Sequence, residues 1–306
     1  MPELMRVARA VATNQVARLA PTAYLRLTKQ TGRGNGASES PEDIADYFRQ
    51  CVADYLAFAG VPAGIQADQA AGFFAGKTVV EYGPGDFPGV AVLMLVEGAA
   101  KVYAVDRFAM VRLSEKNVGV WHALVAGMDD AQKQRARALL NNPSHPAEGF
   151  KREHIEYVVR PHGFCGLQAQ ADLAISRAVL EHVDDLPGTF ADMLAALKPG
   201  GVAMHLVDLK SHGLHRSNPL DFLEWPQWLW SLMYSHKGVP NRWRLDHYRH
   251  IVQSLPVLDV RLEPTQRASA ADVAAVRSHL APVFTNLGDD DLACLGMWVG
   301  FRKPRG

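Results

Sequence analysis

The chain has 306 residues, of which 48% are hydrophobic and 21% are charged, a composition typical of a soluble globular protein with one large domain and additions. The formal net charge is +0 and the isoelectric point is near 7.2, so no overall field would attract nucleic acid or an acidic membrane surface. Three scattered cysteines, Cys51, Cys165 and Cys294, do not predict a disulfide framework and favour a cytoplasmic location. No segment is long and apolar enough to predict a membrane span. Because of this and the balanced charge, we expect neither a membrane nor a nucleic-acid partner.

The first 60 residues are predicted to form an N-terminal helical extension. An amphipathic helix comes first and is followed by TGRGNGASES, residues 31–40, a Gly- and Ser-rich joint. A second helix begins where Ser40 can cap it and Pro41 fits the first helical position, and it ends at Gly60. We expect residues 61–306 to form the main domain.

Beyond residue 76, short β-branched segments alternate with longer helical ones. The predicted strands are residues 77–82, 101–106, 154–159, 171–176, 201–208, 256–264 and 296–302. The predicted helices lie near residues 88–96, 109–128, 130–140, 187–197 and 245–252. This alternation predicts a doubly wound α/β sheet of parallel strands, whose ligands bind at the carboxyl ends of the strands.

The first predicted strand ends at a glycine turn, VVEYGPGDFPGVA, residues 79–91. Gly83 and Gly85 allow bare backbone to approach a ligand, and Glu81 lies just before them. Asp106 closes the second strand about twenty residues later, where a carboxylate can accept hydrogen bonds from both ribose hydroxyls of an adenosine. Taken alone, these residues fit a dinucleotide, a flavin or S-adenosylmethionine.

Two later segments, ISRAVLEHVDDL (residues 175–186) and LKPGGVAMHLVDL (residues 197–209), narrow the choice. Together with the glycine turn and Asp106 they closely resemble the class I S-adenosylmethionine-dependent methyltransferases of the bacterial small-molecule type, over roughly residues 76–303. The resemblance implies a Rossmann-like sheet of seven mostly parallel strands, with the last strand antiparallel between its neighbours. It also implies S-adenosylmethionine as cofactor, with these residues lining its site: Glu81, Gly83, Gly85, Asp106, Phe164, Ser176 and Arg177.

Methyl transfer requires an aligned nucleophile and, for a hydroxyl or protonated amine, a base. Histidines cluster in MHLVDLKSHGLH, residues 204–215, at the end of the fifth strand. We expect His212 or His205 to be the base, with Asp208 orienting an imidazole or holding the substrate, and His182 is a further candidate. A metal site formed by His205, Asp208, His212 and His215 is the alternative; because the first two lie on a predicted strand, we expect no metal.

An insertion at about residues 210–248 separates the fifth strand from the last crossover helix and is predicted to cap the substrate. Trp225, Trp228 and Tyr234 can form an aromatic wall that excludes water, and Arg242 or Arg244 can clamp a carboxylate or phosphate. The alternative is that the aromatic residues only pack the insertion onto the sheet.

These features favour a methyltransferase that acts on an oxygen or nitrogen of a small molecule, for example an anionic, natural-product or sugar-like acceptor. Base methylation of nucleic acid is disfavoured because the fourth strand continues as Ser176-Arg177-Ala178-Val179 rather than as an Asn/Asp-Pro-Pro-Tyr/Phe turn. Two alternatives stay open: an NAD(P)-dependent oxidoreductase on the same fold, and a non-catalytic subunit that binds S-adenosylmethionine or a partner. A homodimer is also left open.

Overall fold

A single sheet of seven strands forms the centre of the structure, a computed structural model that describes residues 2–20, 24, 39–61, 72–109, 111 and 113–305. The strands are β1 (Thr78–Tyr82), β2 (Lys101–Asp106), β3 (Ile155–Val159), β4 (Ala171–Arg177), β5 (Leu197–Asp208), β6 (Leu258–Arg267) and β7 (Cys294–Arg302). Their spatial order is β3-β2-β1-β4-β5-β7-β6. The strands β1 to β5 are parallel, and β7 runs antiparallel between β5 and β6. The predicted fold class is therefore confirmed, including the antiparallel last strand.

The helices follow the predicted alternation closely. They are α1 (Pro2–Leu19), α2 (Pro41–Phe58), α3 (Gly89–Val96), α4 (Glu115–Ala126), α5 (Asp130–Ala138), α6 (Leu186–Ala196), α7 (Gln227–Tyr234), α8 (Leu245–Ser254), α9 (Ala270–Val276) and α10 (Asp289–Ala293). Among the described residues, short 3-10 turns lie at Pro146–Glu148, Leu180–His182, Asp221–Glu224 and Pro282–Phe284. The start of α2 confirms the predicted cap, because Ser40 Oγ accepts a hydrogen bond of 3.0 Å from Asp43 N.

Helices cover both faces of the sheet, and successive strand residues point to opposite faces. On one face Val79 packs with α2, α3 and α4, and on the other Val80 packs with α6 and α8. The α2 helix belongs to the hydrophobic core on the Val79 face, since Phe58 stacks on Trp298 of β7 with ring centroids 4.6 Å apart. The predicted domain boundary near residue 60 stays a prediction, although α2 shares the core of the sheet.

The predicted insertion forms a third hydrophobic cluster together with α1 and α9. Trp230 and Tyr234 of α7 lie with ring centroids 4.5 Å apart inside it. Asn14 of α1 donates to Leu232 O at 2.9 Å and accepts from His236 N at 2.9 Å. The first helix is therefore attached to the insertion. Residues 31–38 of the predicted joint lie outside the described residues. None of the described helices combines the length and apolar character needed to cross a bilayer.

Candidate active site

A cleft lies at the carboxyl ends of β1, β2 and β4, and we call it the strand-end cleft. Its lining residues are Tyr82, Gly83, Gly85, Val105, Asp106, Arg107, Phe108, His162, Gly163, Ala178, Val179, His182, Val183, Thr189 and Gly238. Another cavity lies at the opposite edge of the sheet, beside Lys77, Gly200 and Arg302. Because ligands of open α/β sheets bind at the carboxyl ends of strands, the strand-end cleft is the stronger candidate.

The glycine turn after β1 forms part of this cleft. Gly83 and Gly85 both adopt left-handed backbone, with φ of +68° and +74°. A Cβ on Gly83 would lie 2.3 Å from Val179 Cγ2, so only glycine allows the loop after β4 to pack so closely against the turn. The structure thus brings Gly83 and Gly85, two of the predicted site residues, into one wall.

Asp106 and Arg107 form the side of the cleft at the end of β2. One carboxylate oxygen of Asp106 accepts a hydrogen bond of 3.1 Å from Phe108 N, and burial raises the pKa of Asp106. The Arg107 guanidinium reaches across the cleft, where it donates to Asp184 at 3.0 Å and to the carbonyl of His182 at 3.1 Å. The sequence analysis did not single out Arg107; its position directly after the strand-ending acid is the signal that could have found it.

Glu81 is only 7% exposed and does not line the cleft. Burial raises the pKa of Glu81 to about 8. Its Oε2 atom has no hydrogen-bond partner among the described residues, and in its ionised form the carboxylate would raise the pKa of the Tyr55 and Tyr157 phenols. Glu81 therefore lies behind the glycine turn, so direct contact with a ligand in the cleft stays a prediction.

Three other predicted cofactor residues do not line the cleft. Ser176 Oγ is hydrogen-bonded to His205 Nδ1 at 2.8 Å inside the core. Arg177 donates to Asp54 of α2 at 2.6 Å, on the opposite face of the sheet. The expected contact of Ser176 and Arg177 with the cofactor is thus not supported, because strand alternation turns one into the core and the other toward α2. Phe164 lies next to His162, with ring centroids 5.9 Å apart, and His162 itself lines the cleft.

The four predicted catalytic residues fall into two groups. His205 is fully buried, burial lowers its pKa to about 3, and its Nε2 atom has no hydrogen-bond partner in the described structure. It is therefore a core histidine, which corrects the expectation that it serves as the base. His182 lines the strand-end cleft and packs against His212, with ring centroids 5.0 Å apart. His212 Nε2 lies 3.7 Å from an Asp208 carboxylate oxygen.

Burial and neighbouring charges set the protonation states of His182 and Asp208. Burial lowers the pKa of His182 to about 4, and the neighbouring His212 and Arg107 act in the same direction. Burial acts to raise the pKa of Asp208, but His212 and Lys210 lower it overall. At neutral pH His182 is therefore uncharged and Asp208 is ionised.

A further cavity adjoins the cleft where His182 meets His212, and we call it the polar cavity. Its charged and polar lining includes Asp208, Lys210, His212, His215, Arg267 and Asp272. His212 belongs to this cavity and His182 to the cleft, so the two imidazoles lie at the junction of the two spaces.

The insertion contributes to the cleft differently from what the sequence predicts. Trp228 is 68% exposed, and Tyr234 packs on Trp230 in the third cluster. Trp225 lies beside the guanidinium of Arg216, and none of the three aromatic residues lines the cleft. The packing alternative therefore describes Trp225 and Tyr234, whereas Trp228 is exposed to solvent.

The two predicted clamp arginines are also structural. Arg242 is 2% exposed and donates to the carbonyls of Phe222 and Trp225 at 3.2 and 2.7 Å. Arg244 is fully buried, and its guanidinium donates to three backbone carbonyls, those of Leu209, Leu292 and Cys294. The expected clamp is thus wrong, because both guanidinium groups donate hydrogen bonds to backbone carbonyls inside the protein.

Asn241 attaches the insertion to the turn that carries His182. Its backbone N–H donates to Glu181 O at 2.6 Å, and its side-chain amide donates to Leu180 O at 2.9 Å and Val183 O at 3.1 Å. Through this contact the insertion brings Gly238 to the wall of the cleft. In the sequence, Pro240 directly before Asn241 is typical of a fixed turn, and this pair marks the contact better than the tryptophans do.

Comparisons with known proteins identify the family of the chain. A family profile described as a methyltransferase domain matches residues 48–255. A search of curated proteins finds no match. Among solved structures, one similar chain is phosphoethanolamine N-methyltransferase 2 of Haemonchus contortus in complex with S-adenosyl-L-methionine, at 16% identity and a TM-score of 0.43, covering 79% of this chain and 53% of that chain. This chain thus spans about half the length of that protein. Another is an S-adenosylmethionine-dependent methyltransferase of Mesorhizobium loti, at 18% identity and a TM-score of 0.42, covering 78% of this chain and 98% of that chain.

Proposed function

Because the chain belongs to a family of S-adenosylmethionine-dependent methyltransferases, we propose that it transfers a methyl group to an oxygen or nitrogen of a small molecule. The observation that carries the proposal is the strand-end cleft, where the left-handed turns at Gly83 and Gly85 meet the carboxylate of Asp106. The family assignment disfavours the oxidoreductase alternative, which rested on the same glycines and acid.

The cleft residues fit the cofactor. We expect the bare backbone at Gly83 and Gly85 to leave room for its amino-acid moiety, and Asp106 to accept hydrogen bonds from its ribose hydroxyls. S-adenosylmethionine supplies an electrophilic methyl group on a sulfonium. Arg107 spans the cleft between β2 and the loop after β4, and we expect it to swing aside when the cofactor enters.

We expect the acceptor to occupy the polar cavity, with its reactive atom near His182 and His212. Lys210 and Arg267 line that cavity together with Asp208 and Asp272, so it offers charges of both signs to a polar acceptor. The +0 net charge supports a small molecule rather than a nucleic acid.

His212 is the proposed general base. It faces the polar cavity, and its Nε2 atom lies 3.7 Å from the ionised carboxylate of Asp208, which would stabilise the imidazolium after proton transfer. His182 beside it is uncharged at neutral pH and closes the junction on the cleft side. The remaining work of the site is alignment of the acceptor with the methyl group and exclusion of water.

Calorimetric titration of the purified protein with S-adenosylmethionine, S-adenosylhomocysteine, NADH and NADPH tests the proposal. Binding of the first two alone supports it, and formation of S-adenosylhomocysteine in the presence of a panel of anionic hydroxyl and amine compounds then identifies the acceptor class. Binding of a nicotinamide alone would overturn the proposal. Absence of any binding would favour a non-catalytic subunit instead.

A further inference from the structure

Three side chains at the junction of the cleft and the polar cavity form a cluster of metal-ligand type. Glu181, His182 and His212 each offer one donor atom, and these atoms lie within 4.8 Å of one another. Glu181 is 1% exposed, and neither of its carboxylate oxygens has a hydrogen-bond partner in the described part of the chain. The Nδ1 atom of His182 is also buried and without such a partner there. A buried carboxyl group without such partners is costly in its ionised form, and a bound cation would compensate that charge.

We propose that Glu181, His182 and His212 bind a divalent transition-metal ion. Two imidazoles and one carboxylate suit zinc, iron and similar ions, and leave coordination positions open for an exogenous ligand. Ligand distances of about 2.0 to 2.2 Å place donor atoms about 3.3 Å apart around such an ion. Donors within 4.8 Å therefore need to approach by about 1.5 Å at most.

The surroundings of the cluster also fit an ion. Glu181 and His182 share the Leu180–His182 turn that Asn241 holds in place. Asp208 lies 3.7 Å from His212 Nε2 and accepts a hydrogen bond of 2.9 Å from Lys210 N, so a fixed carboxylate stands behind one imidazole. Metal-bound histidines characteristically donate their second ring N–H to a carboxylate, and Asp208 would need to approach His212 by only about 0.5 Å to accept it.

The proposed ion would lie between the two spaces of the site, since His182 lines the cleft and His212 lines the polar cavity. An acceptor oxygen bound at an open position would lose its proton more readily. His212 would be a ligand in the metal-bound protein, and it is the proposed base in the metal-free protein. The inference goes beyond the proposed function, because metal binding is measured without cofactor or acceptor.

The test is calorimetry with Zn²⁺ on full-length protein treated with a chelator and then dialysed, with the visible absorption of the Co²⁺ form as a second readout. We expect one ion per chain, and a loss of affinity of about 100-fold or more in Glu181→Gln and in His212→Asn. His212 has a φ of +50°, and asparagine tolerates this backbone well, so His212→Asn is expected to fold. His122→Asn, at an exposed histidine of α4, is the matched control and should bind as the wild type does.

Far-UV circular dichroism establishes that each variant is folded before titration. One site per chain that is lost in His212→Asn and kept in His122→Asn supports the proposal. Absence of binding by the wild type, or unchanged affinity in folded His212→Asn, would overturn it. Neither result bears on cofactor binding, so failure of this proposal is distinguishable from failure of the proposed methyl transfer.

Discussion

Replacing Asp106 by alanine tests the cofactor site most directly. Asp106 is the acid that ends β2 and lines the strand-end cleft, and it is partly buried. One of its oxygens accepts a hydrogen bond from Phe108 N, so the other is the freer acceptor for a ribose hydroxyl. The substitution removes these acceptors without filling the cleft.

The expected magnitude follows from one charge-assisted hydrogen bond to the ribose, which contributes about 1.5 to 3 kcal/mol. At the upper value the Kd for S-adenosylhomocysteine rises about 150-fold, since about 1.4 kcal/mol corresponds to a factor of ten. A ligand present at about 100 times the wild-type Kd stabilises the wild type by about 2.7 kcal/mol and this variant by only about 0.3 kcal/mol. The two proteins are therefore expected to differ clearly in the rise of melting temperature with ligand.

Calorimetry and thermal melts with and without S-adenosylhomocysteine measure both quantities. Asp130→Ala, at a fully exposed aspartate in the first turn of α5, is the control and should leave the Kd unchanged. A folded Asp106→Ala protein whose Kd stays within threefold of the wild type would refute the assignment of Asp106 to the ribose.

Three further predictions concern the base, a buried acid and a buried cation. His212→Asn should lower turnover by roughly 10² to 10⁴-fold and leave the Kd for the cofactor unchanged. Initial rates and calorimetry on one preparation measure the two quantities, and a turnover equal to that of the wild type would contradict a role for His212. The folded-state pKa of Glu81, about 8, lies above its ordinary value of 4.5, so the folded chain holds a proton that the unfolded chain releases, and the contribution of Glu81 to stability falls as pH rises from 4.5 to 8. Glu81→Gln should therefore lose less melting temperature between pH 5 and pH 8 than the wild type does, and parallel pH profiles would speak against this account. Arg244→Met should lower the free energy of unfolding by about 2 to 4 kcal/mol, since it leaves buried carbonyls without donors, yet leave the cofactor Kd unchanged; urea unfolding and calorimetry separate this outcome from a substrate clamp.

Local patterns in the sequence determined the sheet and its strand ends. The β-branched segments and the intervening helical periods predicted the strands within a few residues, because each element buries its own apolar face. The glycine turn and Asp106 could be assigned to one site for the same reason, since the carboxyl ends of adjacent parallel strands must meet at one edge.

The sequence alone could not decide which way side chains near the strand ends point. Ser176 and Arg177 are adjacent in the chain, yet one bonds to His205 in the core and the other to Asp54 on the far face. The helices that cover each face of the sheet decide which side chains are buried there. Contacts between strand and helix can join residues more than a hundred positions apart, as in the pair Arg177 and Asp54.

The insertion shows the same limit. Its tryptophans and arginines have the composition of a ligand-binding wall, but composition does not distinguish a wall from a core. The docking of α1 and α9 onto the insertion places Trp225 and Trp230 in a third cluster, and Arg244 is hydrogen-bonded to buried backbone carbonyls. The contact of His182 with His212 likewise exists only in the folded chain, because it joins a turn after β4 to a loop after β5. The sequence by itself therefore determined the fold and the end of the sheet at which the strand-end cleft lies. Tertiary packing alone decided which polar side chains face that cleft.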